Sequence, residues 1–353
     1  MRSLLLIILA FFFHSGYSQN NNQLLKDYRP VPIHNLPITK ISKAKFPVID
    51  MHSHTYANTE EEIKAWISTM NEKGITKTIL LTFSTGARFD SLYTMYSKYE
   101  QFELWCGIDF TNYNLPNWSQ SAIEELERCF KLGARGVGEM GDKGEGLVYS
   151  KPTPAYGMHI DDPRMQPIIQ KCGELGMPIN IHVAEPYWMY EPINNHNDGL
   201  MNAAKWPIDQ SKPDILLHNE LIFTLENAVK QNPNTTFIAC HYANCSYDLS
   251  IIGSLLTKYP NLYVDISARY AETSVVPRYT KAFIEKNQNK LLYGTDMGFN
   301  PAMYEITFRI LESADEHFYE IDLFNYHWDL NGLNLSNKAL KKLYYENAKK
   351  ILD

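Results

Sequence analysis

Eight short apolar runs alternate with eight amphipathic helical patterns along this chain, the order that repeated strand–helix units produce. The strand candidates are Pro47 to Met51, Lys77 to Phe83, Glu103 to Ile108, Gly136 to Met140, Pro178 to Val183, Thr236 to Cys240, Leu262 to Ile266 and Leu291 to Tyr293. Helical periodicity predicts helices over Glu60 to Lys73, Leu92 to Tyr99, Gln120 to Leu132, Pro163 to Leu175, Leu221 to Gln231, Leu249 to Tyr259, Arg278 to Lys286 and Tyr304 to Ser313. Gly74, Gly133 and Gly176 each stand just past a helix and before a strand, where a left-handed cap needs them. Matching counts and crossovers of helical length predict a closed α/β fold, a (β/α)8 TIM barrel forming one domain over residues 46–353. An open doubly wound sheet would show a similar alternation.

Ahead of the barrel, residues 1–18 combine Arg2, an apolar run from Leu4 to Phe13 and small residues at Gly16-Tyr17-Ser18. That layout predicts a signal peptide, hence export to a periplasm or beyond, followed by an N-terminal extension over 19–45. The apolar run falls short of the roughly 20 residues that span a bilayer as a helix, so no membrane insertion is expected after cleavage. A net charge of −7 and the lack of any clustered Lys/Arg stripe argue against nucleic acid as a partner. Five cysteines, few and odd in number, do not form a disulfide scaffold, and Cys106, Cys172 and Cys240 read as small core residues. Asn117, Asn234, Asn244 and Asn334 open sequons that matter only in a host that glycosylates.

Two connections are long, Gly141 to Asp161 after the fourth strand and Ala184 to Asn219 after the fifth. Both follow strands, so both belong on the face where barrel enzymes keep their chemistry. They carry Tyr149, Tyr156, Tyr187, Trp188, Tyr190 and Trp206. Tyr187 and Trp188 are candidate substrate-wall residues, although such rings also serve to pack a loop down.

The first strand ends in Asp50-Met51-His52-Ser53-His54. Side chains of a strand alternate, so His52 and His54 share a face and are expected to point into the barrel mouth, with Asp50 on the same face one layer deeper. With 11 histidines in the chain, one His-x-His pair decides nothing by itself. Position decides more: His182, His241 and Asp296 stand at the exits of the fifth, sixth and eighth strands. Imidazoles and a carboxylate gathered at one rim suit a divalent ion, Zn2+ or a similar cation, with an open position for water. Glu139, closing the fourth strand between glycines, is a candidate to bridge a second ion, orient a ligand histidine or hold substrate. Asp265 and Arg269 flank the end of strand seven, and Arg269, Arg88 or Lys143 could clamp a substrate carboxylate.

These residues resemble the amidohydrolase superfamily, in the amidohydrolase-related group that includes the aminocarboxymuconate-semialdehyde decarboxylase-like enzymes. The matching segments are Val48-Ile49-Asp50-Met51-His52-Ser53-His54, Ile181-His182, Ala239-Cys240-His241, Tyr293-Gly294-Thr295-Asp296 and Leu343-Tyr344-Tyr345-Glu346-Asn347-Ala348. The resemblance implies a metal held by His52, His54 and His182, Asp296 as ligand and proton shuttle, and His241 on the metal or beside the substrate. Glu139 resembles the fourth-strand bridge of binuclear members. In hydrolytic members a metal-activated water attacks a carbonyl, and in decarboxylase-like members the same frame expels carbon dioxide. The function expected from the sequence is metal-dependent hydrolysis of an amide, lactone or ester in a small molecule, with Asp296 and His241 as the catalytic pair. A non-oxidative carboxy-lyase is the alternative, and a non-catalytic ligand-binding barrel a more distant one. Self-association is left open.

Overall fold

Eight parallel strands follow one another around a barrel in the structure, a computed structural model that describes residues 23–353. The signal peptide expected over residues 1–18 lies outside the described residues. The strands are β1 Val48–Ser53, β2 Ile75–Leu81, β3 Phe102–Trp105, β4 Val137–Asp142, β5 Ile179–Val183, β6 Phe237–Ala239, β7 Leu262–Asp265 and β8 Leu291–Leu292. Parallel ladders join β1 to β3 and β4 to β8. Two seams close the ring. Cys106 N–H donates to the Gly136 carbonyl and Gly138 N–H to the Cys106 carbonyl, while Met51 N–H donates to the Tyr293 carbonyl and Thr295 N–H to that of His52.

Both faces of these strands are covered, which is why they read as continuous apolar runs. Val48, Leu80, Leu104, Val137, Ile179, Phe237, Leu262 and Leu291 face the helices. Ile49, Met51, Ile79, Leu81, Trp105, Ile238, Tyr263 and Leu292 fill the barrel interior, plugged from one end by Ala348 with Tyr345 and Ile351 packed against it. The alternation expected for β1 fails at its end. A register irregularity between Asp50 and Ser53 turns His52 inward although Met51 already points inward. Asp50 is therefore on the other face from Ile49 and Met51, and accepts hydrogen bonds from the Thr295 N–H and hydroxyl and the His52 N–H.

The outer helices are α1 Glu60–Lys73, α2 Gly86–Tyr96, α3 Trp118–Leu132, α4 Gln166–Glu174, α5 His218–Gln231, α6 Leu249–Lys258, α7 Pro277–Asn287 and α8 Pro301–Glu312. A Thr59/Glu62 capping box starts α1, and Gly74 at φ 85° ends it. Helix α2 begins at Gly86 rather than Leu92. Only Phe89 and Tyr96 of α2 are buried, too sparse a stripe to mark its first turns in the sequence. Residues 313–336 carry no clear periodicity, yet they return to the carboxyl-end rim of the strands, where Trp328 Nε1 donates to the Ala271 carbonyl and Asn325 to Asn202. Among the described residues, no helix is long and apolar enough to cross a membrane.

Candidate active site

His52, His54, His182, His241, Glu139 and Asp296 all stand at the carboxyl-end rim of the barrel, brought there by β1, β4, β5, β6 and β8. Three of the imidazoles are tethered in the same way. His52 Nδ1 donates to Asp265 Oδ2 at 2.9 Å, His54 Nδ1 to the Leu81 carbonyl at 2.8 Å, and His241 Nδ1 to the Ser267 carbonyl at 2.8 Å. A ring whose Nδ1 donates turns its Nε2 to the mouth, as a proton donor to a carboxylate while the ring is charged and as a bare lone pair once it is neutral. The three Nε2 atoms face one space. His54 Nε2 is 3.0 Å from Asp296 Oδ1 and 3.5 Å from Glu139 Oε2. His52 Nε2 lies 3.8 Å from each of the same two carboxylates. His241 Nε2 lies 3.6 Å from Glu139 Oε1 and 3.7 Å from Asp296 Oδ2.

His52 Nε2 is buried without any hydrogen-bond partner. Leaving such an atom unsatisfied costs about 1–3 kcal/mol, which a metal bond would offset. Three nitrogens and two carboxylates around this orphan fit a divalent cation, with His52, His54, His241, Glu139 and Asp296 as the groups able to hold it. His182 differs: its Nδ1 donates to Glu139 Oε1 at 2.9 Å and its Nε2 is 2.9 Å from the Ala184 carbonyl. In this arrangement His182 braces Glu139. Burial works against ionising Glu139, but the hydrogen bond from His182 Nδ1, with the His241 and His52 rings close by, holds its carboxyl well below the usual range. Burial likewise opposes ionisation of Asp296, and the imidazoles of His52 and His54 outweigh it.

Close backbone approach makes this packing possible. A Cβ on Gly294 would sit 2.7 Å from that of His52, and one on Gly138 would sit 2.9 Å from that of Asn180, so both positions need glycine. After β6, His241, Tyr242, Ala243 and Asn244 take φ values of 58°, 56°, 52° and 55°. Four consecutive residues in the left-handed region form a strained turn, a device found at functional sites. Here it aims His241 into the mouth.

Above this cluster lies a cavity of about 450 Å³ with His182, His241, Asp296, Lys143, Glu185 and Arg269 in its walls. A larger hollow of about 770 Å³, against Lys43, Phe46 and Lys77, contains none of the clustered histidines or carboxylates. Buried Arg269 donates from Nε and Nη2 to Asn244 Oδ1 and lies 3.8 Å from Glu185 and 3.6 Å from Glu272. Lys143 pairs with Glu185. Three residues singled out as substrate contacts are not in this wall. Arg88 sits on the exposed first turn of α2, its Nε donating to Ser84 Oγ. Tyr187 and Trp188 belong to a 3-10 turn whose Pro186 and Met189, three apart on one face, take the wall instead. Tyr187 stacks on Tyr247, and Trp188 packs edge-on against Tyr326 and Trp328, so these rings fasten the loop.

A family model described as amidohydrolase matches residues 109–353. The chain belongs to the amidohydrolase family. No curated protein matches the sequence of this amidohydrolase. Among solved structures it is similar to 2,6-dihydroxybenzoate decarboxylase from Rhizobium, at 15% identity and TM-score 0.51 over 87% of this chain and 98% of that one. It is similar to 5-carboxyvanillate decarboxylase from Novosphingobium aromaticivorans, complexed with manganese and 4-hydroxy-3-methoxy-5-nitrobenzoic acid, at 14% identity and TM-score 0.53 over 90% and 99% of the two chains. A dihydroxybenzoic acid decarboxylase from Polaromonas with bound manganese and 2-nitroresorcinol is similar at 15% identity and TM-score 0.54, over 87% and 97%. At such identities the likeness establishes the barrel fold. The His-x-His segment of this amidohydrolase precedes the residues matched by the family model.

Proposed function

We propose that this amidohydrolase is a metal-dependent carboxy-lyase that removes carbon dioxide from a small hydroxylated carboxylic acid without net oxidation. The reading rests on the space shared by His52, His54, His241, Glu139 and Asp296 directly beneath a cavity that also presents Arg269 and Lys143. It is supported by the decarboxylases among the structures of the same fold. A divalent ion in that space would supply charge neutralisation for oxygens of the substrate. Arg269 and Lys143 favour an anionic substrate and fix its orientation. Asp296, held ionised and accepting from Tyr56 Oη at 3.3 Å, takes a proton from a substrate hydroxyl. As the bond to the carboxylate carbon breaks, its electron pair stays on the substrate carbon, and Asp296 returns the proton there.

Hydrolysis of an amide, lactone or ester is the second reading, favoured by the description of the matching family. Asp296 would then carry a proton from water to the leaving group, with His241 beside the carbonyl. The chain would act after export, on small molecules. One experiment decides between the two reactions: elemental analysis of purified protein, then a panel of hydroxybenzoates, lactones, amides and esters in 18O-labelled water. Headspace carbon dioxide matched by decarboxylated product supports the lyase. Label in a cleaved product with no gas released would overturn it in favour of hydrolysis, and retention of a panel compound without turnover would point to a binding protein.

A further inference from the structure

Cys240 has no part in the scheme above, yet it stands at the floor of the same cluster. One donor atom from each of His52, Glu139, Cys240 and His241 lies within 4.8 Å of the others, and all four residues are buried. The local backbone explains how neighbours in sequence both reach the site. Ile238 points into the barrel, so Cys240, two residues on, shares its face. Alternation would turn His241 away, but the left-handed turn at 241–244 brings it back to the same side. A second observation points independently to a ligand: His52 Nε2, fully buried, is unpartnered.

We infer that the sulfur of Cys240 is a metal ligand, joining His52, Glu139 and His241 on the deep side of the one ion space that His54 and Asp296 face from the outer side. This rests on the metal-dependent reading of the site and deepens it. Cys240 Sγ donates to Asn180 Oδ1 at 2.9 Å. Ligation exchanges that S–H hydrogen bond for a sulfur–metal bond, with the thiol proton released to solvent. A thiolate is a soft donor, whereas carboxylate and water suit manganese and magnesium. The sulfur therefore favours zinc-like ions more strongly than two imidazoles and one carboxylate would by themselves.

The test is cobalt substitution of the purified protein under reducing, anaerobic conditions, with bound cobalt counted by elemental analysis. Thiolate-to-cobalt charge-transfer absorption in the near ultraviolet is expected, lost in Cys240→Ser but kept in the control Cys245→Ser, whose sulfur lies outside the cluster. Zinc affinity should fall in Cys240→Ser by about 10- to 100-fold, the scale of losing a metal-site partner, with manganese affinity much less affected. X-ray absorption of the zinc-loaded wild type, expected to show one sulfur scatterer, needs no variant and stands if Cys240→Ser does not fold. Cobalt bound without the charge-transfer band, or zinc bound without sulfur, overturns the role of Cys240 and leaves the metal reading intact. Failure to bind cobalt or zinc at all overturns both.

Discussion

Asp265→Asn is the substitution that probes the site most directly, because one carboxylate organises two of its histidines. Oδ2 of this buried residue accepts from His52 Nδ1 at 2.9 Å, and Oδ1 accepts from the main-chain N–H of His241 at 2.9 Å and of Ser267 at 3.1 Å. An asparagine that keeps its oxygen on the two N–H groups turns its NH2 toward His52. Nδ1 must then accept, the ring proton moves to Nε2, and the lone pair aimed at the shared space is lost. The flipped amide leaves the two main-chain donors facing an NH2, at about 1–3 kcal/mol for each unsatisfied group. Either outcome weakens the site. Loss of such a supporting partner lowers metal affinity about 10- to 100-fold, or about 1.4–2.7 kcal/mol. Competition titration against a chromogenic chelator, with zinc and with manganese, measures this, and circular dichroism checks that the variant is folded. A folded Asp265→Asn protein that binds both ions within about threefold of wild type, under 1 kcal/mol, would refute the tether argument.

Other perturbations follow from the same structure. Asp296→Asn should lower turnover of any substrate found in the panel by about 10²- to 10⁴-fold, while calorimetry shows the substrate still binding. Gly294→Ala places a methyl 2.7 Å from His52 Cβ, so chemical denaturation should show a loss of about 1–3 kcal/mol. Trp66→Ala empties a fully buried site where the indole stacks on Phe299 and donates to Tyr304 Oη, and should cost about 3–5 kcal/mol in the same assay. His159 Nδ1 donates to Asp142 at 2.7 Å, and although burial opposes it, this contact holds the imidazole above its ordinary value. A raised histidine pKa stabilises the fold fully below the unfolded value of about 6.5, and the gain disappears as pH rises through the folded value. Denaturant midpoints should therefore place wild type furthest above His159→Gln in mildly acidic buffer, and an equal gap in alkaline buffer would count against the ion pair.

The strand–helix alternation was enough to specify parallel strands with helical crossovers and to place His52, His54, His182, His241, Glu139 and Asp296 at strand exits on one rim, because burial of both strand faces and the right-handed crossover are consequences of local pattern, while the two seams decide closure into a barrel over an open sheet. What each of those side chains does at the rim is a tertiary matter. The irregularity in β1 separates Asp50 from the histidines, and a left-handed turn aims His241 inward, though neither leaves a periodic signal in the sequence. Partner choice was equally invisible: Asp265 tethers His52, Glu139 and Ala184 engage both nitrogens of His182, and the orphaned Nε2 of His52 appears only once its neighbours are assembled. Tyr187 and Trp188, read as candidate substrate-wall residues, pack on neighbouring rings while Pro186 and Met189 of the same 3-10 turn take the cavity wall. Hydrophobic periodicity records which face of an element is buried; the donors and acceptors across a site come from segments far apart in the chain, and only their packing determines which of them meet.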